Sequence, residues 1–180
     1  MSGTEGAVGY AALWVADLAR AAAFYADALG WSYTEVAEQH RMVDDPTLPR
    51  SIVALAALPP GVWDEWPRHN TLFLSHAVDD LSGAVERVRT AGGRVHAADS
   101  GADCVDDQGM PFSLHTAGGA APGTDTAHGR LAYLTFEVTD AARARAFLGA
   151  VFGWGFAPGN VEDGWQIDGL APMGGLHGGH

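Results

Sequence analysis

Two side chains stand out as acid–base candidates. Glu137 lies in the apolar run LAYLTFEV, where strand alternation groups it with Tyr133 and Thr135; His115 lies in PFSLHT, on one side with Ser113. A carboxylate desolvated by burial can act as a general base or as the counter-ion of a basic ligand, and an imidazole titrates near neutrality. A module-interface role for Glu137 and a structural or rim role for His115 stay open beside these. His76, in TLFLSHAV, falls on the other side of its strand from Phe73 and Ser75, which points to a satisfied structural histidine. Of the six tryptophans, Trp14, Trp63, Trp66 and Trp165 fall in strands or loops, where an indole can stack on a planar ligand. Trp31 and Trp154 follow helices and read as packing residues.

Other chemistries are excluded by what is missing. All ten basic residues are arginine, so no lysine is present for a Schiff base, a pyridoxal-phosphate anchor or a phosphate loop. Cys104 is the single cysteine, which rules out an intrachain disulfide and thiolate-rich metal sites, and it reads as a small buried hydrophobe. The net charge of −12 and a pI near 4.8 argue against a nucleic-acid partner and favour long-range attraction of a cationic ligand. No apolar run approaches membrane-spanning length, and the apolar segment near the start lacks a cationic lead. A cytoplasmic protein with no membrane partner is the expectation.

The elements that must position these groups come from an internal repeat. GYAALWVADLARAAAFYADALGW, TLFLSHAVDDLSGAVERVRTAGG and RLAYLTFEVTDAARARAFLGAVFGW each read as strand, aspartate, helix and glycine, with Asp17, Asp80 and Asp140 in register 63 and 60 residues apart. An aspartate where a strand gives way to a helix caps the free amides of the first turn. Leu18, Phe24, Tyr25 and Leu29 in the first helix, and corresponding residues in the others, recur near helical spacing, which predicts one buried face on each. Gly30, Gly92 and Gly153 follow the last turns. SYTEVA, HRMV, SIVALAAL, RVHAA, ADCVD and PFSLHT then read as strands, with Asp106 and Asp107 in the turn before the last. The expected fold is α+β: repeated βαβββ modules at 1–59, 70–117 and 128–180, the third glycine-rich, partial and truncated. Segments 59–70 and 117–129 read as linkers.

With its repeats in register and a DDQGMPFSL ending, the chain resembles the vicinal oxygen chelate superfamily of glyoxalases, bleomycin-resistance proteins and extradiol dioxygenases. The FGW after the third helix resembles paired-domain members common in actinobacteria. The resemblance implies a cup-shaped mixed sheet with the helices outside, modules one and two closing one cup, and module three burying its open face against a second copy in a homodimer or folding back as a lid. It places family metal ligands at Tyr10, Phe73 and Tyr133, or at Ala12, Ser75 and Thr135, and at Ser113. None of these is a good divalent-metal ligand, so neither a metal nor another cofactor is expected. The implied cup is lined instead by Tyr10, Trp14, Phe73, Ser75, Ser113, Tyr133 and Thr135, with Trp63, Trp66 and Trp165 as further ligand contacts and Glu137 and His115 as catalytic candidates.

Two functions follow. One is metal-independent sequestration of a small apolar or aromatic natural product, cationic ones included, as in drug resistance. The other is a metal-free enzyme of secondary metabolism, of cyclase or isomerase type. A metal-dependent lyase or dioxygenase with atypical ligands, and an interaction subunit without a ligand, are further alternatives.

Overall fold

The computed structural model describes residues 5–44, 53–57, 71–98, 101–116, 133–170 and 172–179. The first repeat is β1 (Val8–Val15), α1 (Leu18–Leu29), β2 (Tyr33–Ala37), β3 (His40–Val43) and β4 (Val53–Ala57). The second is β5 (Thr71–Val78), α2 (Leu81–Thr90), β6 (Arg94–Ala98), β7 (Gly101–Val105) and β8 (Pro111–Thr116). The third is β9 (Tyr133–Val138), α3 (Ala141–Phe152), β10 (Gly155–Pro158), β11 (Gly164–Asp168) and β12 (Met173–Gly178). The architecture is α+β, with mixed sheets and three helices. The third repeat is complete, not partial: its glycines meet close neighbours instead of breaking strands. A Cβ on Gly174 would stand 2.7 Å from Leu170 Cδ2 and 3.0 Å from the Leu134 carbonyl oxygen.

The helix starts follow the sequence directly. Asp17, Asp80 and Asp140 are N-caps in extended conformation, and their side chains accept from the amides of Arg20, Gly83 and Arg143 at 3.0, 3.1 and 3.0 Å. Gly30 and Gly153 close α1 and α3 with φ of 69° and 71°, where a side chain would be strained.

The described residues form two compact units, one within Tyr10–Leu74 and the other made of residues 5–9, those from Ser75 to Thr116 and those from Tyr133 onward; β1 and β5 contribute residues to both. In the unit around Tyr10–Leu74 the strand order is β2-β3-β4-β1-β5. β1 runs parallel to β4, aligning Ala12 with Ala54 and Trp14 with Ala56, while antiparallel β3 aligns Met42 with Ala54 and His40 with Ala56. On the opposite face Leu13 and Val15 pack with Leu18, Ala22 and Tyr25 of α1 and with Tyr33. Phe24, expected in the buried stripe, is 63% exposed, because six residues after Leu18 it has turned away from the line of Leu18, Ala22 and Tyr25.

The second unit carries β1-β5-β8-β7-β6 and a separate sheet β10-β11-β12-β9, in which β9 and β12 are parallel. Leu134, Phe136 and Val138 are buried on one side of β9, as are Phe147, Leu148, Val151 and Phe152 of α3. His76 is 2% exposed. Its Nδ1 lies 2.9 Å from the Gly6 carbonyl oxygen, which can only accept, so Nδ1 carries the proton. Around the imidazole stand Phe112, Phe152 and Trp154, with ring centroids 6.1, 4.6 and 5.4 Å away. This is the structural role that strand parity predicts. Arg87 of α2 donates to the Val151 carbonyl at 2.7 Å and to Glu5 Oε1 at 2.6 Å, and Glu5 Oε2 accepts from the Asp79 amide at 2.9 Å.

Candidate functional site

In the unit around Tyr10–Leu74, the face away from α1 is a floor of small side chains ringed by aromatics. Ala12, Ala54 and Ala56 are buried side by side, with Trp14 and Phe73 beside them and Tyr10 and Met42 partly covering them. Trp14 and Phe73 are stacked, centroids 4.3 Å apart and planes 14° apart. Three alanines among large rings make a flat apolar layer that is buried in this structure, with Ala12 and Ala54 at 0% and Trp14 and Phe73 at 8% and 6% exposure. Tyr10 Oη lies 2.9 Å from His40 Nε2. Burial pushes the Tyr10 hydroxyl up to about 12 and lowers the His40 pKa, so this pair is neutral at pH 7. His40 is absent from the sequence-based candidates. Its signal is the HRMV strand, whose alternation pairs His40 with Met42, but the partner Tyr10 lies 30 residues away.

In the other unit, Ser75 and His115 meet, with Ser75 Oγ 2.7 Å from His115 Nδ1. Room for the imidazole comes from Gly9, where a Cβ would stand 2.5 Å from Nε2. Burial lowers the pKa of His115 and keeps the ring neutral. Ser113, on the same side of β8, faces Asp103 across the ladder, and Asp103 faces His96 of β6. Burial raises the Asp103 pKa, and the neighbouring His96 charge offsets part of that. Asp103 and His96 are functional candidates that sequence reasoning missed, because only the register of three strands brings them beside Ser113.

The remaining candidates are placed differently. Tyr133, Thr135 and Glu137 lie on the exposed side of β9. The Glu137 side chain is 52% exposed, with His177 Nδ1 3.0 Å from Oε2, so the burial expected of a desolvated base is not there. Trp165 is aligned with buried Leu176 on β12, and the Arg145 guanidinium of α3 sits 3.5 Å over its ring, which uses the indole face for packing. Trp63 and Trp66 fall outside the described residues. Asp106 serves the turn as expected, accepting at Oδ1 from the amides of Gln108 and Met110, both at 2.8 Å. Cys104 is buried and its thiol is pushed up to about 12 by desolvation, so it supplies no thiolate. A cavity of about 850 Å³ at the start of α3 includes Arg143, already engaged by Asp107 at 2.8 Å, and none of the predicted site residues.

The residues at the expected metal positions do not fit a divalent ion. Ala12 and Phe73 offer no donor, Tyr10 is a neutral phenol hydrogen-bonded to His40, and Ser75 and Ser113 offer only neutral hydroxyls. Among the described residues no three His, Cys, Asp or Glu side chains gather to hold a metal.

Among solved structures, the chain is similar to 2,2',3-trihydroxybiphenyl 1,2-dioxygenase from Sphingomonas wittichii strain RW1, at 16% identity and a TM-score of 0.65 over 95% of this chain and 67% of that one. It is similar to the Mn(II)-bound glyoxalase from Novosphingobium aromaticivorans, at 16% identity and a TM-score of 0.70 over 98% of this chain and 62% of that one. A mutant 4-hydroxymandelate synthase from Streptomyces coelicolor shares 18% identity and a TM-score of 0.63, over 96% of this chain and 62% of that one. At these identities the likeness shows the fold, and the chain spans about two thirds of each relative's length. No curated protein matches the sequence. The repeats, their βαβββ order and a family model matched over residues 7–100 agree: the chain belongs to the Glyoxalase/Bleomycin resistance protein/Dioxygenase superfamily.

Proposed function

We propose that this protein binds a small apolar or aromatic molecule, without a metal, on the alanine floor beside Trp14 and Phe73, and that it holds the ligand rather than transforming it. The observation that carries this reading is the stacked ring pair beside Ala12, Ala54 and Ala56 on the face away from α1. A ligand that enters this buried apolar layer would meet flat rings, small side chains and one neutral hydrogen-bonding pair, Tyr10 and His40, but no group set to break a bond. Resistance by holding a drug, a role in keeping with the bleomycin-resistance proteins named in the matched family, needs no more than this. The test is calorimetric titration with 2-naphthol, before and after dialysis against EDTA. Saturable binding that survives EDTA, weakens in Trp14→Leu and returns the probe unchanged supports the reading. No saturation, or binding that EDTA abolishes, defeats it.

A second reading, catalysis without metal, is favoured by one contact. A neutral imidazole with a serine hydroxyl 2.7 Å from Nδ1 can exchange a proton with a bound substrate. Chemical change of a bound probe, lost in His115→Gln with affinity retained, would select it.

The protein is further proposed to work as a homodimer through the third repeat. Met173 and Tyr133, aligned neighbours on β12 and β9, are 61% and 50% exposed on the side of that sheet away from buried Leu134 and Phe136. A second copy presenting the same pair would bury both. Sedimentation equilibrium should return twice the chain mass, and Met173→Asp should return the monomer.

A further inference from the structure

We infer that β9 is an edge strand built to pair with its own copy: β9 of one protomer adds antiparallel to β9 of a second, centred on Thr135, so that the sheet β10-β11-β12-β9 runs on into the partner. This rests on the proposed homodimer and names the strand that makes it.

The first strands of the repeats differ in what flanks them. β1 has β4 on one side and β5 on the other, and β5 has β8 and β1. The start of β1 lies against the end of β5, where the Gly6 amide donates to the Ala77 carbonyl and the Ala77 amide to that of Ala7, both at 2.8 Å, so the two run antiparallel. β9 has β12 along its whole length, from Tyr133 beside Met173 to Val138 beside Gly178. On its other side lies none of the described strands. A strand turns its N–H and C=O groups to both sides, so this edge presents a row of main-chain donors and acceptors that a further strand would satisfy.

The other sheet edges are blunted. β2 breaks register between Glu35 and Ala37, β10 has four residues that begin at Gly155 and end at Pro158, and β6 opens on Arg94. β9 has none of these devices. Its six residues, Tyr-Leu-Thr-Phe-Glu-Val, pair with β12 without a break and alternate between exposed and buried. The same sequence complements itself. Antiparallel pairing about Thr135 sets Leu134 against Phe136 on the buried side, and on the exposed side Thr135 against Thr135 and Tyr133 against Glu137. A one-residue slip would turn the buried set outward, and centring on Glu137 would set carboxylate against carboxylate.

The experiment cross-links the full chain through a cysteine at the centre of this pair. Under mild oxidation Thr135→Cys should become a disulfide-linked dimer, since residues directly opposite in an antiparallel pair have Cα atoms about 4.5–5.5 Å apart, within disulfide reach. Gln166→Cys, aligned with Thr135 through Gly175 but two strands further in, should stay unlinked, and buried Cys104 does not compete. In the wild type, exchange of alternate amides in 133–138 should slow severalfold as the protein is concentrated through the midpoint of its association. A dimer by sedimentation in which Thr135→Cys stays unlinked, or in which β9 exchange ignores concentration, overturns this inference and leaves the homodimer standing. A chain that is monomeric at every concentration overturns both, and leaves the edge to a foreign strand or to none.

Discussion

Ser75 and His115, 40 residues apart in sequence, are joined by a 2.7 Å hydrogen bond that exists because position 9 has no side chain. The bond ties β5 to β8 and fixes how the imidazole is presented. Gly9→Ala places a methyl group 2.5 Å from Nε2, so the ring must leave. The expected outcome is a loss of about 1–3 kcal/mol in urea unfolding, typical of overpacking. The His115 pKa should also rise toward the ordinary histidine value as the ring gains water, read by NMR titration. A variant with wild-type stability and an unmoved titration would show that the ring tolerates the methyl in place.

Acid lability should trace largely to His76. Burial holds its folded pKa at about 4, below the ordinary histidine value of 6.5, so between those values the unfolded chain binds the extra proton. The stability from neutral His76 is therefore complete above pH 6.5 and is lost as pH falls through that window, by about 3 kcal/mol in all. His40 and His115, also lowered by burial, act in the same direction. Urea midpoints should drop steadily from pH 7 to pH 4.5, and His76→Gln should flatten that slope. An unchanged slope in the variant would assign the effect elsewhere.

The Arg87 clamp should be worth more than a surface ion pair, because the guanidinium satisfies a main-chain carbonyl at the end of α3 as well as Glu5. Arg87→Met should cost about 1–3 kcal/mol. Glu5→Gln should cost less, and a double-mutant cycle should show coupling of about 1 kcal/mol between them. Additive losses would mean that the two residues act separately.

Tyr10→Phe removes only the hydroxyl that meets His40 Nε2 at 2.9 Å. Stability should fall by about 1 kcal/mol, the ordinary worth of one hydrogen bond. The ¹⁵N signals of His40 should show a changed tautomer balance. If those signals stay where they are, the two side chains are neighbours without a bond.

What the sequence revealed about the fold, and what it concealed, have separate physical causes. Asp17, Asp80 and Asp140 were legible because capping is local: the side chain and the amide it serves lie within one helical turn. His76 was legible because strand parity puts it opposite Phe73 and Ser75. The closed third repeat was not, since Gly174 and Gly175 carry no alternation to read; they are small where Leu170 and Tyr133 approach. Tyr10 with His40, and Asp103 with His96, needed strand pairing, which residue types alone do not specify. The Arg145 guanidinium over Trp165 was not legible either, since it comes from a helix 20 residues earlier.

The surroundings of His76 bear on how the chain can be divided. Gly6 comes from the start of the first repeat, Phe112 from the second, and Phe152 and Trp154 from the third, all around one imidazole. Severing the polypeptide after Thr116 would strip two of the rings from that imidazole and expose Phe112, while removing the chain through Gly6 would take away its acceptor. The last repeat is thus no detachable appendix. A fragment comprising only the first two should be insoluble or molten, and any shuffling of these repeats between proteins must carry Gly6, His76 and Trp154 together.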